Sequence, residues 1–381
     1  DPGPASETVK SNVGINAIQN KLNTCDSVTV ESSGHLSILT IDKNLEVPAG
    51  KTLTVNDDVR VLLTSGKTLR VSGTMNALGA SFTNLGTLEV AGSLQTASEI
   101  SNGLGGTLTL LDSGEITSDS TVATVDQQGG TLNLEGGILS NTNASGAPAL
   151  KVGMEGSITF LGTSLRSVAP TFPVEVNLIP GKDPAQVLGE LSTTEEGGMK
   201  IVTRTSYTIT FDVGIPAEAQ FRWTELPTAP AQQVVYHGES ITLPANLSSS
   251  DDGGIFFGGW FAEGDPSVEL VDGTAAGYTT PAHWVARWWC SVSIVPNYPD
   301  MLKWNSDDIV FPDGLTGRFD AMVSLPTSLA PSKTEGGKRY EFSGWNSEAD
   351  GSGTDAEASV PAYRSSAWYA QWTQESTEGA G

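Results

Sequence analysis

Among the 381 residues of this sequence, the side chains that could do acid–base chemistry together are Asp57, Asp58, Arg60 and Arg70. Close carboxylates can act as acid and base at a glycosidic bond. An Arg beside carboxylates that hold Ca²⁺ can instead take up a proton. Asp57-Asp58, however, falls between two strand-like segments, where solvated Asp is ordinary turn chemistry, and no second carboxylate recurs at that phase nearby. His35, His237 and His283 stand alone, without Cys or a second His at metal-ligand spacing. Asp251-Asp252-Gly253-Gly254 and Asp350-Gly351-Ser352-Gly353 lack the alternating acids and closing Glu of a calcium loop. No nucleophile motif, phosphate loop or dinucleotide fingerprint occurs. The residues therefore predict no catalytic, cofactor-binding or metal-binding set. Cys25 and Cys290 are too few for a disulfide framework and read as buried thiols, with a long-range pairing left open.

Composition narrows the class further. Twenty basic side chains against 44 acidic ones leave a formal charge of -24. Nucleic-acid binding needs clustered Lys and Arg to displace counterions, so it is excluded, and docking on anionic lipid is disfavoured for the same reason. No apolar run reaches the roughly 18 residues of a membrane span. The start, Asp1-Pro2-Gly3-Pro4, has no charged-then-apolar leader, which suits a mature chain with its signal removed or a cytoplasmic one.

The aromatic residues mark the main change of character. All nine Trp and all seven Tyr lie at or after Tyr207, and only Phe82, Phe160 and Phe172 precede it. Two kinds of core are predicted.

The first part repeats short alternating segments: Lys51–Val55, Lys67–Val71, Gly86–Val90, Gly106–Leu110, Gly130–Leu134 and Gly156–Phe160. Period-two alternation points the aliphatic side chains one way and the polar ones the other. Five segments are followed by Gly and a further aliphatic residue: Gly73…Met75, Gly92…Leu94, Gly114…Ile116, Gly137…Leu139 and Gly162…Leu165. Gly there suits a tight corner. A parallel coil is predicted, with Leu53, Leu69, Leu88, Leu108, Leu132 and Ile158 stacked in one ladder. Ile15, Ile18 and Leu22 have helical spacing and predict a helix plugging the first coil. Residues 166–206 are expected to cap the other end, with strands at Val174–Leu178 and Lys200–Val202 and a turn at Gly181-Lys182-Asp183-Pro184. The helix, "SVTVESSGHLSILTIDKNLEVPAGKTLTV" and the "GTLxVxG" units together resemble the pectin-lyase-like β-helix modules of large bacterial surface proteins over roughly residues 10–165. That fold hosts polysaccharide lyases and hydrolases, for which Asp57, Asp58, Arg60 and Arg70 would be the candidates. The part has no Trp or Tyr to stack on a sugar, and fold alone does not license an activity.

The second part repeats at about 83 residues. Ile209–Asp212 aligns with Val292–Val295, Ile241–Pro244 with Val323–Pro326, Phe257–Trp260 with Phe342–Trp345, and Trp284–Trp288 with Trp368–Trp372. The order "ITFD…ITLP…FxGW…VARW" resembles the B-repeat of listerial internalins and the Listeria–Bacteroides repeat, well over 207–289 and more loosely over 290–372. Gln371 stands for Arg287, and Pro296 follows Val295 where a longer strand is expected. The family implies a small β-grasp-like fold in tandem on bacterial surfaces and brings no catalytic residues. Trp223/Trp304, Trp260/Trp345, Trp284/Trp368 and Trp288/Trp372 recur in phase, which marks core residues rather than a sugar-binding platform. Trp289 has no counterpart and is expected to pack one repeat against the next.

The expected fold is mainly β: a right-handed, single-stranded parallel β-helix with a helical N-cap over 1–165, a cap or linker over 166–206, β-grasp-like repeats over 207–289 and 290–373, and a disordered tail over 374–381. The expected function is non-enzymatic, an adhesin on the bacterial surface or secreted from it, with the repeats as stalk and the β-helix presenting a ligand surface. The partner would be a host or microbial surface glycan or protein, with no nucleic acid, no membrane insertion and no cofactor, and the chain a monomer. The alternatives are a polysaccharide lyase or glycoside hydrolase, favoured by carboxylates clustered on one face of the coil, and a carbohydrate-binding module, favoured by a row of exposed aromatics.

Overall fold

The computed structural model describes residues 5–177 except 36, 80 and 155; 183–297 except 244–246, 264, 271–273 and 276; and 314–376 except 320, 330–332, 336–337, 357 and 365–366. The chain divides into two compact units, Asp1–Ser206 and Tyr207–Gly381.

The first unit is a parallel β-solenoid of about seven turns. Each turn contributes one strand to each of three sheets. Val28, Leu53, Met75, Leu94, Ile116, Leu139 and Leu165 form one inward row, through the first sheet. Leu45, Leu69, Leu88, Leu108, Leu132 and Ile158 form another, through the second. Leu53 therefore does not precede Leu69 in one ladder, as its segment had suggested; Leu45 does. The alternating pattern of Lys51–Val55 fits an inward strand on either sheet, so it could not say which. A third sheet runs from Ser37–Ile41 to Val174–Val176. Most of its inward positions are again aliphatic, and all three rows belong to one buried cluster.

The corner glycines are there for close approach. A Cβ on Gly92 would overlap the carbonyl oxygen of Gly73 one coil below, and one on Gly130 would overlap that of Gly106. A side chain at either corner would push adjacent coils apart.

Helix α1 (Ile15–Thr24) buries Ile15, Ile18 and Leu22 in the same cluster. The Gln19 amide donates to Glu46 O at 3.1 Å and accepts from Glu46 N at 2.7 Å. It thus satisfies backbone groups of the first strand of the second sheet, Leu45–Val47, as a neighbouring strand would. Strand Ser6–Lys10 adds to the first sheet ahead of the first coil. At the far end, pairing runs through Ser140↔Arg166 and Lys151↔Glu175, past the expected boundary at 165. The antiparallel hairpin of Leu191–Glu196 and Met199–Arg204 then joins the first sheet. Of the expected turn, Gly181-Lys182 lies outside the described residues. Asp183 caps α2 (Pro184–Leu188).

In the second unit the organising element is the strand Ala282–Val295. Phe211 lies beside Trp284 in parallel register at its start, and Ile294 beside Trp368 at its end. The expected boundary at 289/290 thus falls inside one strand. The rings around Phe257 recur around Phe342: Phe257 meets Trp260 and Trp288 at 5.5 and 6.0 Å, and Phe342 meets Trp345 and Trp372 at 5.3 and 6.0 Å. Trp288 Nε1 donates to Val213 O, and Trp372 Nε1 to Pro296 O. Except for Trp304, which lies outside the described residues, the recurring Trp residues belong to the core or pack against it. The expected tail begins too early, because Gln374–Ser376 pairs with Lys338–Tyr340.

Candidate functional site

A concentration of titratable groups whose ionisation is perturbed lies around the outward face of the third sheet. Successive coils there place Ser101, Asp126, Lys151 and Glu175 side by side. Asp126 is 4% exposed although it faces outward. One of its oxygens, Oδ2, accepts from Lys151 Nζ at 3.1 Å and from Gln128 Nε2 at 2.7 Å. The other, Oδ1, is buried and has no hydrogen-bond partner. Gly153 makes room for the group, since a Cβ there would press on the Gln128 amide and on Asp126 Oδ1. Burial, and then the charge of Asp126, raise the Glu99 carboxyl above the ordinary carboxylate range, while Lys151 pulls it back. The Lys151 ammonium is raised chiefly by its hydrogen bond to Asp126.

This set was missed in the sequence because Glu99, Asp126, Lys151 and Glu175 are separated by 27, 25 and 24 positions. The coil lengths vary, and the third sheet carries no Gly-Thr-Leu marker from which to count them. The sequence-predicted candidates fall elsewhere. Asp57 and Asp58 are exposed in the turn before Val59–Leu63. Arg60 is exposed on the third sheet, and Arg70 on the second, between Glu46 and Glu89 on the neighbouring strands. Arg70 also borders a shallow groove of about 360 Å³ beside Gln19 and Glu46. Because they occupy different sheets, the two arginines do not share a face with one carboxylate pair.

The Asp-rich turns are occupied by protein donors. Asp252 Oδ2 accepts from Arg222 Nε at 3.1 Å, and Oδ1 from Ser250 and Gly254. Asp251 accepts from Thr224, and Asp350 from Ser352. His237 meets the Tyr207 hydroxyl and His283 the Thr210 hydroxyl. Among the described residues no group of three or more His, Cys, Asp or Glu could hold a metal ion, and no helix is long and apolar enough to cross a membrane. Cys25 and Cys290 are both buried free thiols, and burial pushes Cys290 up to about 12.

The geometry makes a prediction at Glu99. Its folded pKa lies above the unfolded value, so the folded state holds the extra proton and stability falls as pH rises through the folded pKa. Glu99→Gln should therefore raise the melting temperature of the first unit at pH 7 and leave it unchanged near pH 3, where both forms are neutral. Thermal melts at the two pH values check this, and a lower melting temperature at pH 7 would contradict it.

Comparison with protein-family models, with curated proteins and with solved structures found no match in any of the three.

Proposed function

We propose that this chain is a non-enzymatic bacterial protein, secreted or displayed on the cell surface, whose solenoid presents a binding surface to a glycan or protein of a host or microbial surface. The observation behind this reading is the outward row on the first sheet: Thr29, Thr54, Asn76, Gln95 and Thr117, each at least partly exposed, stand in register on successive strands. Strands pack about 4.8 Å apart, so these short polar groups form a flat, regular array suited to contacting an extended partner over many coils. The acidic charge opposes chance association with anionic surfaces. On this reading α1 and the 191–204 hairpin serve as end caps, and the second unit is a pair of β-grasp-like repeats of the internalin B type acting as a spacer.

The second reading, a carbohydrate-active enzyme, draws on Glu99 and Asp126: a carboxyl held above its usual range beside a buried carboxylate is the pairing acid–base catalysis uses. Against it, Lys151 and Gln128 already engage Asp126. Incubating the purified chain with a glycan and matrix-protein array, with and without Ca²⁺, tests both. Binding with intact glycans is expected. Shortened chains or unsaturated sugar products that vanish in Asp126→Asn would replace the first reading with the second.

A further inference from the structure

The outward face of the second unit's sheet carries an aromatic and cationic group on adjacent strands. Phe256, Trp289 and Arg318 are directly opposite one another on three adjacent strands. Phe256 is 37% exposed, Arg318 is exposed, and Trp289 is half-buried. The Trp289 indole lies over Gly258, where a Cβ would collide with its ring. Two residues along the same strand face, Arg287 stacks its guanidinium 4.1 Å from the Phe261 ring centre. It forms no ion pair among the described residues, and its Nη1 is covered without an acceptor.

The 83-residue repetition separates what the fold requires from what it does not. Phe256↔Trp289 has as its counterpart Glu341↔Thr373, and Gly259↔Arg287 has Gly344↔Gln371, with the same bulge before each glycine. Gly258 is matched by Ser343. Of the inward residues of this strand pair, Phe257, Trp260, Trp284, Ala286 and Trp288 recur as Phe342, Trp345, Trp368, Ala370 and Trp372, whereas Phe256, Arg287 and Trp289 on the outside do not. The second half thus shows that this sheet forms without Phe256, Arg287 or Trp289. Two arginines beside an aromatic pair are also out of keeping with a part of the chain that has eight basic and 23 acidic residues.

We propose that Phe256, Trp289, Arg287 and Arg318 form a binding site for an acidic glycan. An aromatic face packs against the apolar face of a sugar ring, and a planar guanidinium matches carboxylate and sulfate oxygens. The face is charge-complementary to such a ligand although the whole protein repels it, so recognition is local. The site is independent of any binding by the solenoid.

The test uses the full chain and three probes: an oligogalacturonate, dextran sulfate and unsubstituted dextran. Binding is followed by calorimetry and by Trp fluorescence. At least one acidic probe is expected to bind and dextran is not; which acidic probe binds identifies uronate or sulfate as the group read. Trp289→Thr and Arg287→Gln, the residues the second half carries at these places, should each weaken binding about tenfold or more, while Glu341→Gln leaves it unchanged. If Trp289→Thr melts early, Arg287→Lys decides instead, since it keeps the charge but loses the planar fork and should still weaken binding. No binding of either acidic probe at millimolar concentration, equal binding of dextran, or unchanged affinity in the arginine variants would overturn the proposal, whatever the solenoid binds.

Discussion

Replacing Trp288 by alanine is expected to cost the second unit about 3–5 kcal/mol, in the range of large-to-small changes at a buried Trp. Trp288 is 2% exposed. Its ring meets Trp223 edge-on at 5.6 Å and Phe257 at 6.0 Å, and its Nε1 donates to Val213 O at 2.7 Å. The truncation removes all three contacts, opens a cavity and leaves the part-buried Val213 carbonyl without this donor. For a unit of this size the melting temperature should fall by about 10 °C or more. The segregation of aromatics gives a clean readout. Every Trp lies in the second unit, so Trp-selective fluorescence follows that unit alone, while far-ultraviolet circular dichroism also sees the solenoid. Trp289→Ala is the control: its ring is half-exposed and its site has no counterpart, so its cost should stay near 1 kcal/mol, as for partial burial. Equal losses at 288 and 289 would mean that the phase of the repeat does not separate core from surface.

The second large effect is predicted inside the solenoid, at Asn102→Leu. Three inward polar residues on the third sheet, Asn84, Asn102 and Gln127, are fully buried. Asn84 Nδ2 donates to Asn102 Oδ1 at 2.8 Å, and Asn102 Nδ2 donates to Gln127 Oε1 at 2.7 Å. Each amide also ties down a corner: Asn84 donates to Thr107 O, Asn102 to Thr131 O, and Gln127 to Gly130 O. Leu nearly matches Asn in size, so the change tests hydrogen bonding rather than volume. It would leave Gln127 Oε1 and Thr131 O unpaired in a dry core, at about 1–3 kcal/mol for each orphaned group. A loss of about 2–4 kcal/mol in the dichroism-detected transition is expected, with the Trp fluorescence transition unmoved. A neutral or stabilising outcome would show that the ladder is replaceable by apolar packing.

Much of this architecture was legible in residue order. Alternation in "GTLTL" or "GTLNL" dictates a strand with one apolar face, and Gly before and after it dictates corners too tight for a Cβ. Segments of this kind bury their faces only by stacking. The phase of the Trp residues likewise marked the core of the second unit, because a small domain must repeat what its interior requires. The sequence did not say which coil face a segment joins. Lys51–Val55 and Lys67–Val71 carry the same alternation but belong to different sheets, since period two encodes only inward and outward.

Tertiary structure alone decided what meets across coils and strands. Glu99, Asp126 and Lys151 come together because variable loops return the chain to the same face after different lengths, and no local pattern records that length. The Asn84–Asn102–Gln127 ladder was hidden for the same reason, as isolated polar residues in loop-rich sequence. Gln19 acquires its role by reaching the edge of Leu45–Val47, 27 residues away. The strand Ala282–Val295 shows the converse: its residues predicted two neighbouring domains, and only the pairing of its two ends, with Phe211 and with Trp368, made them one continuous strand. Local sequence fixes which way a side chain faces, because that follows from backbone geometry; which partner it faces depends on how far the chain travels before it returns.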